Sequence, residues 1–80
     1  MAVINGTEQS DFIFGNPEDD QIFGLGGDDF ILGEGGNDTI EGGEGNDELV
    51  GGDGDDLLRG GAGLDSLTGS VGADTLTGGA

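Results

Sequence analysis

Eight aspartates recur at intervals of nine residues, and their carboxylates are the side chains best suited to chemistry in this sequence. Calcium takes six to eight oxygen ligands, which come from carboxylates and backbone carbonyls. The regular spacing therefore predicts a series of similar metal sites. The candidate carboxylate ligands are Asp11, Asp20, Asp29, Asp38, Asp47, Asp56, Asp65 and Asp74.

Enzymatic chemistry is not expected from this set of residues. The sequence has no histidine and no cysteine, which removes the commonest general base, the commonest zinc ligand and any disulfide. Paired carboxylates act as acid and base in glycosidases, but a carboxylate bound to calcium stays ionised and cannot donate a proton. We therefore expect a protein that is not an enzyme and whose aspartates are structural ligands.

The charge of the chain excludes two classes of partner. Acidic residues number 18 against one basic residue, Arg59, and the formal net charge is −17. Such a charge repels nucleic-acid phosphates and anionic membrane surfaces. No apolar run reaches membrane-spanning length, and residues 1–5 are too short for a cleavable signal peptide. Calcium ions are the expected partners.

The aspartates belong to a nonapeptide, G-x-x-G-x-D-x-U-x, in which U is aliphatic. We number the repeats 1 to 8 from Gly6, and the best copies are residues 42–50, 51–59 and 60–68. The last three residues alternate in direction and predict a short strand. The first six residues form a loop, because paired glycines permit the positive φ of tight turns. Frequent glycine and the lack of a 3.6-residue period exclude helices.

Stacking of the repeats is the arrangement that this pattern predicts. Two nonapeptides make one coil of 18 residues, and strands of alternate repeats then stack in parallel about 4.8 Å apart. The aliphatic row fills the space between two sheets, while odd and even aspartates line opposite edges. We expect one domain over residues 1–80, with a first strand at 1–5, eight repeats at 6–77 and a truncated ninth loop at 78–80. The inward row is Ile4, Ile13, Ile22, Ile31, Ile40, Leu49, Leu58, Leu67 and Leu76.

The repeat resembles the RTX, or haemolysin-type, calcium-binding nonapeptide family over residues 6–77. The resemblance implies an all-β fold: a parallel β-roll, which is a right-handed β-solenoid with two short-stranded parallel sheets. It also implies calcium between loop n and loop n+2, held by the aspartates and by loop carbonyls. Three gaps on each edge give about six ions. The expected carbonyl ligands are Gly33, Gly36, Gly42, Gly45, Gly51, Gly54, Gly60 and Gly63.

Disorder without calcium is a further expectation. Carboxylates about 5 Å apart repel each other by roughly 1 kcal/mol in water and by more when partly desolvated. A core of this size rarely stabilises a chain alone, so binding and folding become one equilibrium. The likeness to modules of type I-secreted proteins implies an extracellular location, reached unfolded and without a cleaved N-terminal signal peptide.

Two stretches of the sequence depart from the repeat. Repeats 1 and 2 carry Gln9 and Glu18 in place of the second glycine, and Pro17 stiffens the second loop. Asp11 and Asp20 thus belong either to calcium sites or to an N-terminal cap that binds little or no calcium. Repeats 7 and 8 have Leu64 and Ala73 before the aspartate, where earlier repeats mostly have Asp or Asn, which predicts weaker polar support of those loops.

An apolar surface is predicted on the outer side of the odd-repeat strands. Outward apolar side chains on one sheet usually mark a covered surface. Our hypothesis is an interaction, adhesion or self-association surface, or a contact with a flanking segment; plain exposure is the alternative. We name this set the apolar face, and it consists of Phe12, Phe14, Phe30, Leu32 and Val50.

Overall fold

Nine short strands joined by glycine-rich turns make up the computed structural model, which describes residues 2–78. No helix long or apolar enough to span a membrane occurs in that range. Residue 1 of the predicted first strand and residues 79 and 80 of the predicted ninth loop lie outside the described residues. The strands are β1 Ala2–Asn5, β2 Phe12–Phe14, β3 Asp20–Phe23, β4 Phe30–Leu32, β5 Thr39–Glu41, β6 Glu48–Val50, β7 Leu57–Arg59, β8 Ser66–Thr68 and β9 Thr75–Thr77.

The strands form two parallel sheets with a constant register of 18 residues. One sheet has the order β1-β3-β5-β7-β9, and the other has the order β2-β4-β6-β8. Ile22 pairs with Ile40 in the first sheet, for example, and Ile31 pairs with Leu49 in the second. This topology confirms the predicted β-roll of two short-stranded sheets with 18 residues per turn.

The aliphatic row lies between the two sheets because the middle residue of each strand points inward. Five of its members are completely buried, and Ile13 is 8% exposed. The prediction of a fully inward row is wrong at its end, where Leu76 is 46% exposed. β8 is the last strand of the opposite sheet among the described residues, so no further strand of that sheet covers the inner side of β9. The completely buried members are Ile22, Ile31, Ile40, Leu49 and Leu58.

Candidate metal centres

Each edge of the roll carries a ladder of stacked aspartates. The backbone N–H of Asp11 donates to Oδ1 of Asp29, one coil further on, at 2.8 Å. The same 2.8 Å bond repeats at every step on both edges. One carboxylate oxygen of each receiving aspartate therefore stabilises the stacking directly. The odd-edge ladder contains Asp11, Asp29, Asp47 and Asp65, and the even-edge ladder contains Asp20, Asp38, Asp56 and Asp74.

The second oxygen, Oδ2, is buried in five of these carboxylates and finds no hydrogen-bond donor among residues 2–78. Four of the five side chains are at most 3% exposed. A buried charged oxygen without a donor is strongly unfavourable unless a cation or a proton neutralises it. We call these atoms the unpaired oxygens; they belong to Asp29, Asp38, Asp47, Asp56 and Asp65.

A glycine carbonyl from the next coil lies beside the carboxylate. A Cβ atom placed on Gly33 would lie 2.7 Å from Oδ2 of Asp38 and 2.7 Å from the carbonyl oxygen of Gly51. The same test at Gly24 meets Oδ2 of Asp29 at 2.5 Å and the carbonyl oxygen of Gly42 at 2.7 Å. The aspartate Oδ2 and a carbonyl oxygen of the next coil therefore converge on the Cβ position of the first glycine. That space is open because glycine has no Cβ atom.

Among the other predicted carbonyls, one lies beside an Oδ2 atom and three face a glycine of the next coil. The Gly33 carbonyl lies beside Oδ2 of Asp20, since both approach the Cβ position of Gly15, at 2.6 and 2.9 Å respectively. Gly36, Gly45 and Gly54 turn their carbonyls toward the fourth-position glycine of the following coil. Those receiving glycines have positive φ and no room for a Cβ atom. Gly60 and Gly63 hold the equivalent first and fourth positions in repeat 7.

Carboxylates alone do not complete any site in the part of the chain that the structure describes, because no group of three acidic side chains converges there. A cation between coils would therefore need backbone carbonyls as well as aspartate. That mixture of ligands is the one calcium accepts. The unpaired oxygens and the adjacent carbonyls fit a divalent cation with oxygen ligands.

Burial makes these carboxylates costly to ionise. Desolvation raises the pKa of Asp38, Asp47 and Asp56 from an ordinary 3.8 to about 6. Within that net value, the backbone hydrogen bond along the ladder lowers the pKa of each group, and the charges of neighbouring carboxylates raise it. The pKa of Asp29 moves in the same direction, again chiefly through desolvation. A nearby positive charge would favour the ionised form.

A second ladder, which the metal-site pattern did not predict, is formed by the residues just before the aspartates. The N–H of Asn46 donates to Oδ1 of Asp28 at 2.8 Å, and the N–H of Leu64 donates to Oδ1 of Asn46 at 2.9 Å. Donation here runs toward the preceding coil, opposite to the aspartate ladder. Ala73 donates in the same way on the even edge. Leu64 and Ala73 themselves carry no side-chain acceptor. The recurrence of Ser, Asp or Asn at this position in six repeats is the feature of the sequence from which this ladder could have been predicted.

The first coil, formed by repeats 1 and 2, differs from the middle coils in the hydrogen bonds that the aspartate Oδ2 atoms accept. Oδ2 of Asp11 accepts the backbone N–H of Thr7 at 2.6 Å and the Thr7 hydroxyl at 3.0 Å. Oδ2 of Asp20 accepts the backbone N–H of Asn16 at 2.9 Å. The carboxylates of repeats 1 and 2 are therefore hydrogen-bonded within their own loops.

A solenoid with stacked, buried carboxylates and converging carbonyls is a repeat protein with candidate cation sites between its coils. The family model described as the RTX calcium-binding nonapeptide repeat matches the chain in four copies, over residues 3–31, 15–49, 32–67 and 50–80. The chain belongs to this family, which confirms the resemblance found in the sequence. Comparison with curated proteins and with solved structures gave no significant match.

Proposed function

We propose that this chain is a calcium-responsive structural module whose folding is coupled to ion binding. The unpaired oxygens carry the proposal. In an unfolded chain these carboxylates are hydrated, whereas stacking removes them from water next to like charges. A cation that binds the stacked form offsets this cost, so ion binding and folding form one equilibrium.

Named residues support a site in two gaps of the middle coils. In the gap between loops 4 and 6, Oδ2 of Asp38 and the carbonyl of Gly51 would hold the ion. In the gap between loops 3 and 5, Asp29 and Gly42 would do so. The bound ion supplies positive charge to carboxylates that burial makes hard to ionise. The number of gaps on both edges sets an upper limit of about six ions.

Calcium suits this arrangement better than magnesium. Magnesium demands near-ideal octahedral geometry and gives up its water reluctantly, whereas calcium tolerates irregular sets of carboxylates and carbonyls. The gaps offer such a mixed set from two separate coils. We therefore expect selectivity for calcium at equal concentration.

The same coupling suits export of an unfolded chain. Low calcium inside a cell would leave the coils unstacked, and higher calcium outside would stabilise them. Membership of a family typical of secreted proteins supports an extracellular location. On this proposal the acidic repeats act as a folding switch between the two compartments.

Circular dichroism during a calcium titration tests the main proposal. The β-signal should appear cooperatively with calcium, and magnesium at the same concentration should produce little of it. A full β-signal in chelator, unchanged by added calcium, would refute coupled folding.

Self-association through the apolar face is a second candidate function. Phe12 and Phe14 are 63% and 54% exposed. The Phe12 ring lies 4.8 Å from the Phe14 ring and 4.8 Å from the Phe30 ring, with Phe12 and Phe30 stacked at 8°. The occupant that we favour is a second copy, because bound cations would lower the repulsion between two chains of charge −17.

Sedimentation in saturating calcium tests this surface. The wild-type chain should form dimers at high concentration, and Phe12→Ser with Phe14→Ser should remain monomeric. Val3→Ser is the matched control, because Val3 is 60% exposed on the other sheet. A wild-type chain that stays monomeric at millimolar concentration would exclude self-association.

A further inference from the structure

We infer that the first coil, formed by repeats 1 and 2, folds without binding calcium. In loops 1 and 2, backbone N–H groups donate to the aspartate Oδ2 atoms that an ion would otherwise contact. The inference rests on the proposed calcium function and concerns where ions bind within this chain. It assigns Thr7 and Asn16 as the residues that replace the ion. It also limits the calcium sites to the gaps between loops 3 and 8.

Burial does not separate Asp20 from the aspartates of the middle coils, whereas Asp11 is only partly buried. Asp20 is 2% exposed, the same as Asp47. Oδ2 of Asp47 is nevertheless one of the unpaired oxygens, whereas Oδ2 of Asp20 accepts the N–H of Asn16. The difference lies in the donor that the loop supplies.

The path of the backbone decides whether that donor is available. Within the described residues, positive φ at the second position of the repeat is confined to repeats 3 to 8. Leu25 and Glu34 adopt it, at 70° and 75°, although neither is glycine. Thr7 and Asn16 do not, and their N–H groups point at the carboxylate of the same loop.

Side chains in loops 1 and 2 reinforce this turn. The Thr7 hydroxyl oxygen accepts the N–H of Gln9 at 3.1 Å, and Oδ1 of Asn16 accepts the N–H of Glu18 at 3.0 Å. Such local bonds are typical of Asx and Ser/Thr turns. Gln9 and Glu18 stand at the fourth position, where later repeats have glycine with positive φ. Loops 1 and 2 therefore differ from the later loops at both the second and the fourth position.

A carboxylate that accepts backbone N–H groups is already stabilised in its charged form. An ion entering the gap above Asp11 or Asp20 would have to displace those donors. The neighbouring carbonyls of Gly24 and Gly33 are in place, but Oδ2 is occupied. Sites therefore remain in four gaps, between loops 3 and 5, 4 and 6, 5 and 7, and 6 and 8.

A closed first coil has a consequence for assembly. In solenoids each repeat contacts only its neighbours, and folding that nucleates in one repeat can propagate to the next. The N–H of Asp11 and the N–H of Asp20 donate to Oδ1 of Asp29 and Asp38, which begin the next coil. The first coil is therefore a metal-free template for the calcium-binding coils.

Native mass spectrometry and isothermal titration calorimetry on the full chain count the ions. The wild type should bind four calcium ions. Thr7→Gly with Gln9→Gly restores the consensus turn of loop 1 and should raise the count to five. Glu8→Gly is the matched control, because it adds a glycine between these two positions and should leave the count at four.

Each outcome bears on a different statement. Six ions on the wild type would overturn the inference and leave the proposed function intact, whereas no bound ion at saturating calcium would remove both. A loop 1 variant that folds and still binds four ions would overturn the role of Thr7. Should that variant fail to fold, the numbers of calcium ions bound by Asp11→Asn and Asp47→Asn provide the test instead. The first should keep four ions and the second should bind three or fewer, and equal losses would overturn the inference.

Discussion

Asp20 and Asp38 lie one above the other on the even edge, at 2% and 1% exposure, yet their second oxygens have different surroundings. Oδ2 of Asp20 receives the N–H of Asn16. Oδ2 of Asp38 is an unpaired oxygen, in a loop whose second residue, Glu34, has a φ of 75°. The comparison teaches that turn conformation, and not burial, determines whether Oδ2 of a stacked aspartate finds a hydrogen-bond donor in its own loop.

The largest expected effect comes from removing a middle aspartate and comparing it with one in the first coil. Asp47→Ala deletes an unpaired oxygen and also the Oδ1 acceptor of the Asp29 N–H. Loss of a buried acceptor and of an ion site should cost on the order of 3 kcal/mol. Asp11→Ala should cost about 1 kcal/mol, because Asp11 accepts hydrogen bonds mainly from Thr7. Urea unfolding in saturating calcium measures both, and similar losses would break the comparison.

The pH dependence in chelator should be opposite to that in calcium. The folded pKa of Asp38, Asp47 and Asp56 is about 6, above the ordinary 3.8, so the stacked chain binds protons more tightly than the unfolded chain does. This stabilisation is complete below 3.8 and is lost as the pH rises through 6. The β-signal in chelator should therefore increase as the pH falls from 7 to 4.

In calcium, protons compete with the ion for the same carboxylates, so the calcium concentration at the folding midpoint should rise below pH 6. Circular dichroism at several pH values measures both series. A metal-free β-signal that declines on acidification through pH 6 would contradict the assigned cause of the proposed calcium requirement.

The smallest expected effect comes from the second position of the loops. Leu25→Gly should stabilise the calcium-bound chain by about 0.5–1 kcal/mol, because glycine adopts the left-handed conformation without steric cost. Thr7→Gly should instead destabilise by about 1 kcal/mol, since it removes the hydroxyl bonds to Asp11 and loosens the turn. Calcium-saturated urea unfolding compares the two variants. Effects of the same sign would remove the distinction between the loops.

The nine-residue period was sufficient to predict the strands, their parity and the inward row except at Leu76, because alternation in a short strand fixes which side chain faces inward. Gln9, Glu18 and Pro17 also indicated that the first coil was different. The donors Thr7 and Asn16 were missed, since the direction of an N–H depends on φ and ψ and not on the side chain. For the same reason, positive φ at Leu25 and Glu34 could not be predicted from residues that disfavour it.

The hydrogen bonds between coils also could not be predicted from the sequence. The aspartates were predicted as ligands, but the bond from each N–H to the next Oδ1 depends on the exact stacking of two coils. The second ladder depends on the same stacking and runs in the opposite direction. Exposure of Leu76 follows from its place at the end of the described stack and not from its residue type.

Residue-resolved amide hydrogen exchange along a calcium titration tests the central claim most directly. The N–H groups of Asp38 and Asp47 donate to the next aspartate in each ladder, so their protection reports stacking of the middle coils. They should be unprotected in chelator and gain protection at the calcium concentrations at which ions bind. Full protection of both amides in chelator, with no change on adding calcium, would contradict the coupling of ion binding to folding.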